Sequence, residues 1–143
     1  MPNAVVTTGY GPPEVLKWAG VPLAEPGEGQ IRIKVKAAGV SPTDLALRAG
    51  YLKAIPLPPN AVLGFEAAGT VDAVGPGVTG TSVGEDVTAL LFSLGGYAEY
   101  AVASLAQSWC WPCRGRPLPR PCRALSGEVE QSSTAPTRCS SRT

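Results

Sequence analysis

Apolar and basic residues alternate strictly at positions 31–36. Side chains of a strand point alternately to opposite faces of a sheet, so this pattern predicts a strand with one buried face. A slip of one residue would place three cations in the core, which fixes the register. The basic face, formed by Arg32, Lys34 and Lys36, is predicted to be solvated, and an anion site is the alternative.

Further strands are predicted where β-prone residues run between turn clusters rich in glycine and proline. These segments are residues 4–8, 15–18, 67–74, 86–92 and 97–102. One short helix is predicted between Ser41 and Gly50. Ser41 suits the N-cap, Pro42 the first helical position and Asp44 the positive end of the helix dipole, and Gly50 can end the helix. Many short strands with one brief helix indicate a mainly β (α+β) domain built as a small barrel.

Composition fits one globular domain without a nucleic-acid or membrane partner. The chain has 143 residues, 44% hydrophobic and 16% charged, with a formal net charge of +1. Proteins that bind nucleic acids or membrane surfaces usually concentrate basic residues on one face. No apolar run approaches the roughly 18 residues of a membrane span. The chain start, Met1-Pro2-Asn3, lacks the basic residues of a signal peptide, so the cytoplasm is the expected compartment.

The character of the sequence changes near Ser104. Up to that point six basic residues face nine acidic ones, whereas the remainder carries six arginines and two glutamates. The remainder also holds all four cysteines, and it lacks lysine and isoleucine. We therefore predict an ordered domain over residues 1–104 and an unrelated tail over residues 105–143, disordered for want of apolar residues. We hypothesise that the tail is an out-of-frame translation of GC-rich DNA or a divergent end.

Two motifs that suggest ligand binding have simpler explanations. Residues 75–80 match G-x-G-x-x-G, but a dinucleotide site needs a helix after the motif, and the β-branched residues that follow predict a turn. Cys110 and Cys113 have the spacing of a zinc knuckle, with Cys122 and Cys139 as further ligands. In a tail rich in arginine, proline, serine and cysteine, chance explains that spacing better. A small cysteine-based metal protein is the remaining alternative.

Several spaced motifs resemble those of medium-chain dehydrogenases/reductases, in the same order. They are Val-Leu-Gly-Phe-Glu-Ala-Ala-Gly-Thr-Val-Asp-Ala-Val-Gly-Pro-Gly at 62–77, Val-Gly-Glu-Asp-Val at 83–87 and Gly-Gly-Tyr-Ala-Glu-Tyr-Ala-Val at 95–102. The resemblance covers roughly residues 3–104 and is to the zinc-independent quinone oxidoreductase branch. It implies a GroES-like fold, a partly open β-barrel, without the Rossmann domain that follows in the family. It also implies NADPH-dependent hydride transfer to a quinone or activated alkene such as an enone.

The resemblance also suggests which residues form the site. Ser41, Pro42 and Phe65 stand where zinc-dependent members carry metal ligands, and the chain has no histidine, so no metal is expected. Ser41-Pro42 resembles the Asn-Pro of quinone reductases. Ser41 and Thr43 are therefore the expected catalytic and cofactor-contacting hydroxyls. Arg48 matches the family's Arg-x-Gly helix end and is a further cofactor-binding candidate, with a surface cation as the alternative.

Two other positions narrow the expected chemistry. Ala46 stands where some enoyl-reducing relatives carry a tyrosine as proton donor, which favours quinone reduction, because a quinone can finish its protonation from water. Glu66 is expected to have a structural hydrogen-bonding role. Because the family binds NADPH mainly through its Rossmann domain, this chain is expected to be an incomplete reductase. The alternative is a non-catalytic GroES-like module that binds a partner or a second copy through exposed surface.

Overall fold

The structure is a computed structural model that describes residues 1–110, without the side chains of Gln107, Trp109 and Cys110. The elements in chain order are β1 Asn3–Thr7, β2 Leu16–Gly20, β3 Gln30–Ala37, α1 Pro42–Ala49, β4 Ala61–Val62, β5 Glu66–Val74, β6 Asp86–Leu90, β7 Tyr100–Ser104 and β8 Ser108–Cys110. Single 3-10 turns at Pro13–Val15 and Leu105–Gln107 precede β2 and β8. No helix within residues 1–110 is long and apolar enough to cross a membrane.

The described strands form two antiparallel sheets, ordered β2-β1-β4 and β7-β3-β5-β6-β8. They meet where Ala4 of β1 pairs with Ala98, just before β7. There the Val5 amide donates to the Tyr97 carbonyl over 2.8 Å. The mainly β fold with one α-helix is confirmed, and hydrogen bonding among residues 1–110 does not close into a complete barrel.

Strand β3 lies inside the larger sheet, between β5 and β7. Ile31 and Ile33 are fully buried, as the alternation predicts, and their core also contains small or branched side chains from the neighbouring strands and from the residue that follows β6. These are Ala67, Val71, Val87, Ala89, Leu91, Ala101 and Ala103. The register of β3 is therefore set by its apolar face.

The basic face of β3 is only partly solvated. Lys34 and Lys36 are exposed, as predicted. For Arg32 the prediction is wrong, since its side chain is only 12% exposed. Its guanidinium donates to Asp72 over 2.7 Å and pairs with Glu25 at 2.9 Å. The hydrogen bond that Arg32 donates to Asp72 is the main reason that the pKa of Arg32 is raised.

Residues 75–80 form a turn between β5 and β6, and no helix follows them before β6 begins. The turn interpretation of the G-x-G-x-x-G match is thus confirmed. Gly75 is required there for another reason. A Cβ atom at this position would collide with the Gly27 carbonyl and lie 3.0 Å from the Gln30 carbonyl oxygen. Both are backbone atoms, which cannot rotate away.

The sequence patterns missed two strands and misplaced the start of another. β4 has only two residues, and β8 lies beyond Ser104, where it pairs with β6 through Ala89 opposite Ser108. The strand predicted over residues 97–102 begins at Tyr100. The boundary at residue 104 stays a prediction. The expected disorder of the tail and the roles of Cys113, Cys122 and Cys139 lie outside the described residues, as does the side chain of Cys110.

Candidate functional site

The N-terminus of α1 is closed by a reciprocal capping box. The Ser41 amide and hydroxyl both donate to Asp44 Oδ2, over 2.9 Å and 2.8 Å. In return Ser41 Oγ accepts from the Asp44 amide over 3.3 Å. Pro42 at the first helical position has no amide hydrogen to satisfy. The donor hydrogen of the Ser41 hydroxyl is therefore committed to Asp44.

Thr43, in the same turn, has a hydroxyl and an amide that remain available as hydrogen-bond donors. Its side chain is exposed, and neither its hydroxyl nor its amide has an acceptor among the described residues. The following two amides, of Asp44 and Leu45, both donate to the Ser41 carbonyl, over 3.1 Å and 3.3 Å. Thr43 thus offers two hydrogen-bond donors at the positively polarised end of a helix.

The other end of α1 is tied to the loop before β2. Gly50 ends the helix in the left-handed conformation, with φ of 86°. The Gly11 amide donates to the Arg48 carbonyl over 2.9 Å, and the Arg48 guanidinium donates to the Gly11 carbonyl. Arg48 lies five residues after Thr43, which is roughly 7–8 Å along a helix. The structure brings Ser41 and Thr43 together and holds Arg48 at the opposite helix end.

A buried polar pair lies beneath the capped turn. Asp44 is only 3% exposed. Its second oxygen, Oδ1, and the hydroxyl of Tyr97 are both buried without a partner of normal hydrogen-bond geometry among the described residues. Burial raises the pKa of Tyr97 to about 12, and the Asp44 carboxylate adds to the effect through its charge and its interaction with the phenol. The Glu66 charge acts in the same direction.

Sequence reasoning identified Asp44 as a favourable helix-end acid but not as a buried group, and it used Tyr97 only as part of a motif. Serine followed three positions later by an acid is a capping signal that the sequence does carry. The approach of Tyr97 has no such local signal. It depends on the pairing of residues 97–99 with β1.

A pocket of about 400 Å³ opens beside the loop that leads into α1. It is lined by the end of β3 and by parts of β5 and β6, mostly alanines, with Glu66 and Thr88 as polar members. The Glu66 carboxylate lies against Gly39, where any side chain would collide with it. The pocket therefore joins an apolar wall to the Glu66 carboxylate, which lies against Gly39, two residues before Ser41.

The described residues do not offer a cradle for the pyrophosphate of a dinucleotide. The glycine-rich turn at 75–80 leads into a strand, and the N-terminus of α1 is capped by its own Asp44. In the first turn of α1, as far as the structure describes the chain, Thr43 keeps a hydroxyl and an amide without an acceptor. Residues 1–110 also contain no cluster of three or more histidine, cysteine, aspartate or glutamate side chains that could hold a metal ion.

Comparison with known families shows which family the chain belongs to. Residues 27–115 match the model of the alcohol dehydrogenase GroES-like domain. The chain belongs to the alcohol dehydrogenase GroES-like domain family. This confirms the resemblance to medium-chain dehydrogenases/reductases.

Two curated members of this superfamily illustrate how much is shared. A 2-haloacrylate reductase of a Burkholderia species is 42% identical over 104 residues, which are 69% of this chain and 30% of that protein. The quinone oxidoreductase of Sus scrofa is 39% identical over 103 residues, 71% of this chain and 31% of that protein. The GroES-like chain thus spans about a third of the length of these relatives, which are oxidoreductases by name.

Solved structures show the same likeness. Escherichia coli quinone oxidoreductase complexed with NADPH superposes with a TM-score of 0.72 at 30% identity, covering 77% of this chain and 33% of that one. Human synaptic vesicle membrane protein VAT-1 homolog-like protein superposes with a TM-score of 0.75 at 32% identity, covering 78% and 35%. A nicotinamide cofactor is thus found in the family.

Proposed function

We propose that this chain carries the substrate-side site of an NADPH-dependent, zinc-independent reductase of quinones or activated alkenes. The observation that carries the proposal is Thr43, which presents a hydroxyl and an amide without acceptors at the N-terminus of α1. The names of the curated relatives support the reaction class. The NADPH complex of a structural neighbour supports the cofactor. A cytoplasmic location belongs to the same proposal.

In the proposed chemistry Thr43 contacts the substrate, whereas Ser41 fixes the first turn of the helix. When bound, NADPH supplies the hydride from its nicotinamide ring. Reduction leaves negative charge on the substrate carbonyl oxygen, and donors that are already oriented stabilise such charge. Thr43 would make this contact through its hydroxyl and its amide. Ser41 would fix the turn, because its own hydroxyl hydrogen is already donated to Asp44.

Proton supply in this proposal comes from water. The side chain at position 46 on α1 is the methyl group of alanine, which cannot donate a proton. After hydride transfer a quinone needs one more proton, which solvent can add to oxygen, whereas an activated alkene needs its proton on carbon. Quinones are therefore favoured over enones as substrates.

Cofactor affinity is expected to be low. The described residues provide no pyrophosphate cradle, and Arg48 is engaged with the Gly11 carbonyl rather than turned to a ligand. We therefore propose that the chain alone is an incomplete reductase. Arg48 remains a cofactor-binding candidate only if NADPH competes for its guanidinium.

The test is a titration of the isotope-labelled chain with duroquinone and, separately, with NADPH, followed by amide NMR shifts. Duroquinone is expected to move the signals around Thr43, and Thr43→Val should weaken its binding roughly three- to tenfold, the effect of one net hydrogen bond. Thr79→Val, in the exposed β5–β6 turn, is the control and should bind like wild type. Shifts confined to other regions, or equal binding by both variants, would refute the proposed site.

A second candidate function is a non-catalytic binding module. Val40 and Phe92 are 70% and 69% exposed, and they follow the strand ends that line the pocket. Exposed apolar side chains mark a protein interface when they form one contiguous patch. Sedimentation of the wild-type chain and of Phe92→Ser tests it. Self-association that disappears in the variant would favour a homo-oligomeric module, and a monomer at all concentrations would exclude this homo-oligomer.

A further inference from the structure

Tyr97 is held in place by its backbone from two directions. Its amide donates to the Leu63 carbonyl over 2.9 Å, and its carbonyl accepts from the Val5 amide over 2.8 Å. Its ring packs against Gly64, where an added Cβ would lie 2.8 Å from Tyr97 Cδ1. These contacts fix the Tyr97 ring and therefore the position of its phenol hydroxyl.

The Asp44 carboxylate acts on this phenol through its charge and through a side-chain hydrogen-bond interaction, so the two groups are neighbours. Asp44 Oδ2 receives two hydrogen bonds from Ser41, whereas Oδ1 is buried and receives none of normal geometry from the described residues. The Tyr97 hydroxyl is likewise buried and unpartnered there. Leaving a buried polar group unsatisfied is unfavourable, and a phenol hydroxyl can donate to a carboxylate oxygen, so pairing the two would satisfy both groups.

We propose that Tyr97 is a positioning residue, whose hydroxyl donates to Asp44 Oδ1 and so fixes the carboxylate that organises Ser41 and Thr43. When the Tyr97 hydroxyl holds Oδ1, the carboxylate cannot rotate, and Oδ2 stays directed toward the Ser41 amide and hydroxyl. The first turn of α1 is then tied to the segment before β7, 53 residues away along the chain. The catalytic relevance of this tie rests on the proposed function, while the tie itself does not.

The test is the hydrogen-exchange rate of the Ser41 amide, which donates to Asp44 Oδ2. In Tyr97→Phe this amide is expected to exchange roughly tenfold faster, because the carboxylate is free to turn toward another donor. Tyr100→Phe, whose ring lies over Arg32, is the matched control and should leave the rate unchanged. Replacing Tyr97 by p-aminophenylalanine restores a donor and should restore slow exchange.

The hydrogen-exchange rate of the buried Ile33 amide in β3 is the reference that distinguishes a positioning role of Tyr97 from general destabilisation. If Tyr97→Phe accelerates exchange at Ser41 and Ile33 by the same factor, the ring matters only for packing and the proposal is overturned. An unchanged Ser41 rate, or no recovery with p-aminophenylalanine, overturns it as well. Neither measurement uses quinone or NADPH, so the result is independent of whether the chain reduces quinones.

Discussion

Replacing Gly64 by alanine tests how closely the segment before β7 is packed on the loop before β5. Gly64 has a φ of 101°, a conformation that residues with a Cβ rarely adopt. A Cβ there would lie 2.8 Å from Gly96 Cα, 2.8 Å from Tyr97 Cδ1 and 2.9 Å from Tyr97 N. Two of these three atoms belong to the backbone, so a change of rotamer cannot relieve the collision.

The expected cost has two parts. The unfavourable backbone conformation contributes about 1–2 kcal/mol for a residue with a Cβ. Forcing the Gly96 and Tyr97 backbone away from Gly64 contributes about 1–3 kcal/mol, as overpacking does elsewhere. The sum of about 2–5 kcal/mol is a large share of the total stability of a typical domain.

Gly84→Ala separates these two contributions. Gly84 has a similar φ of 94°, but a Cβ there would meet nothing within 4 Å. Urea unfolding followed by circular dichroism should therefore show a loss of about 1–2 kcal/mol for Gly84→Ala, the backbone cost alone. Gly64→Ala should lose at least about 1 kcal/mol more. Equal losses for the two variants would contradict the packing described for Gly64.

Three further measurements address the pH response, the helix cap and the core. Since the pKa of Tyr97 is raised to about 12, its contribution to stability is complete below about pH 10, the unfolded pKa, and lost as the pH rises toward the folded value. Absorbance at 295 nm should show one late-titrating tyrosine, absent in Tyr97→Phe. Asp44→Ala should cost about 1–2 kcal/mol in urea unfolding through loss of the cap, and an unchanged midpoint would contradict the capping role. Ile33→Ala, in the fully buried core, should lower the free energy of unfolding by about 2–5 kcal/mol. Val83→Ala, at an exposed position, should lower it by less than about 0.5 kcal/mol. Similar values for the last two would contradict the assigned register of β3.

The parts of the fold that were predictable depend on neighbours in sequence. The alternation at 31–36 specifies both the strand and its buried face, and Ile31 and Ile33 are fully buried. The helix is bounded by Ser41 and Gly50 because a cap and a left-handed glycine act within one turn. Such signals need no knowledge of the rest of the chain.

The parts that were not predictable depend on contacts between distant residues. Arg32 leaves the solvent because Asp72, 40 positions later, comes to lie beside it in the antiparallel pairing of β3 and β5. Tyr97 reaches Asp44 for a similar reason. Strand β4 has two residues, too short for a period to appear, and its position is fixed by pairing with β1. Ser41 and Thr43 were proposed together, but only their hydrogen bonds distinguish a committed hydroxyl from a free one.

The short strand β8 has a consequence for how shorter versions of this protein would behave. It pairs with β6 through Val87 and Ala89 and covers the outer edge of that strand. A chain ending at Ser104 would leave the backbone donors and acceptors of Asp86–Leu90 open along a sheet edge, and open edges recruit strands from other molecules. Aggregation of such a shortened chain would then be a result of where it was cut, and would carry no information about a natural partner.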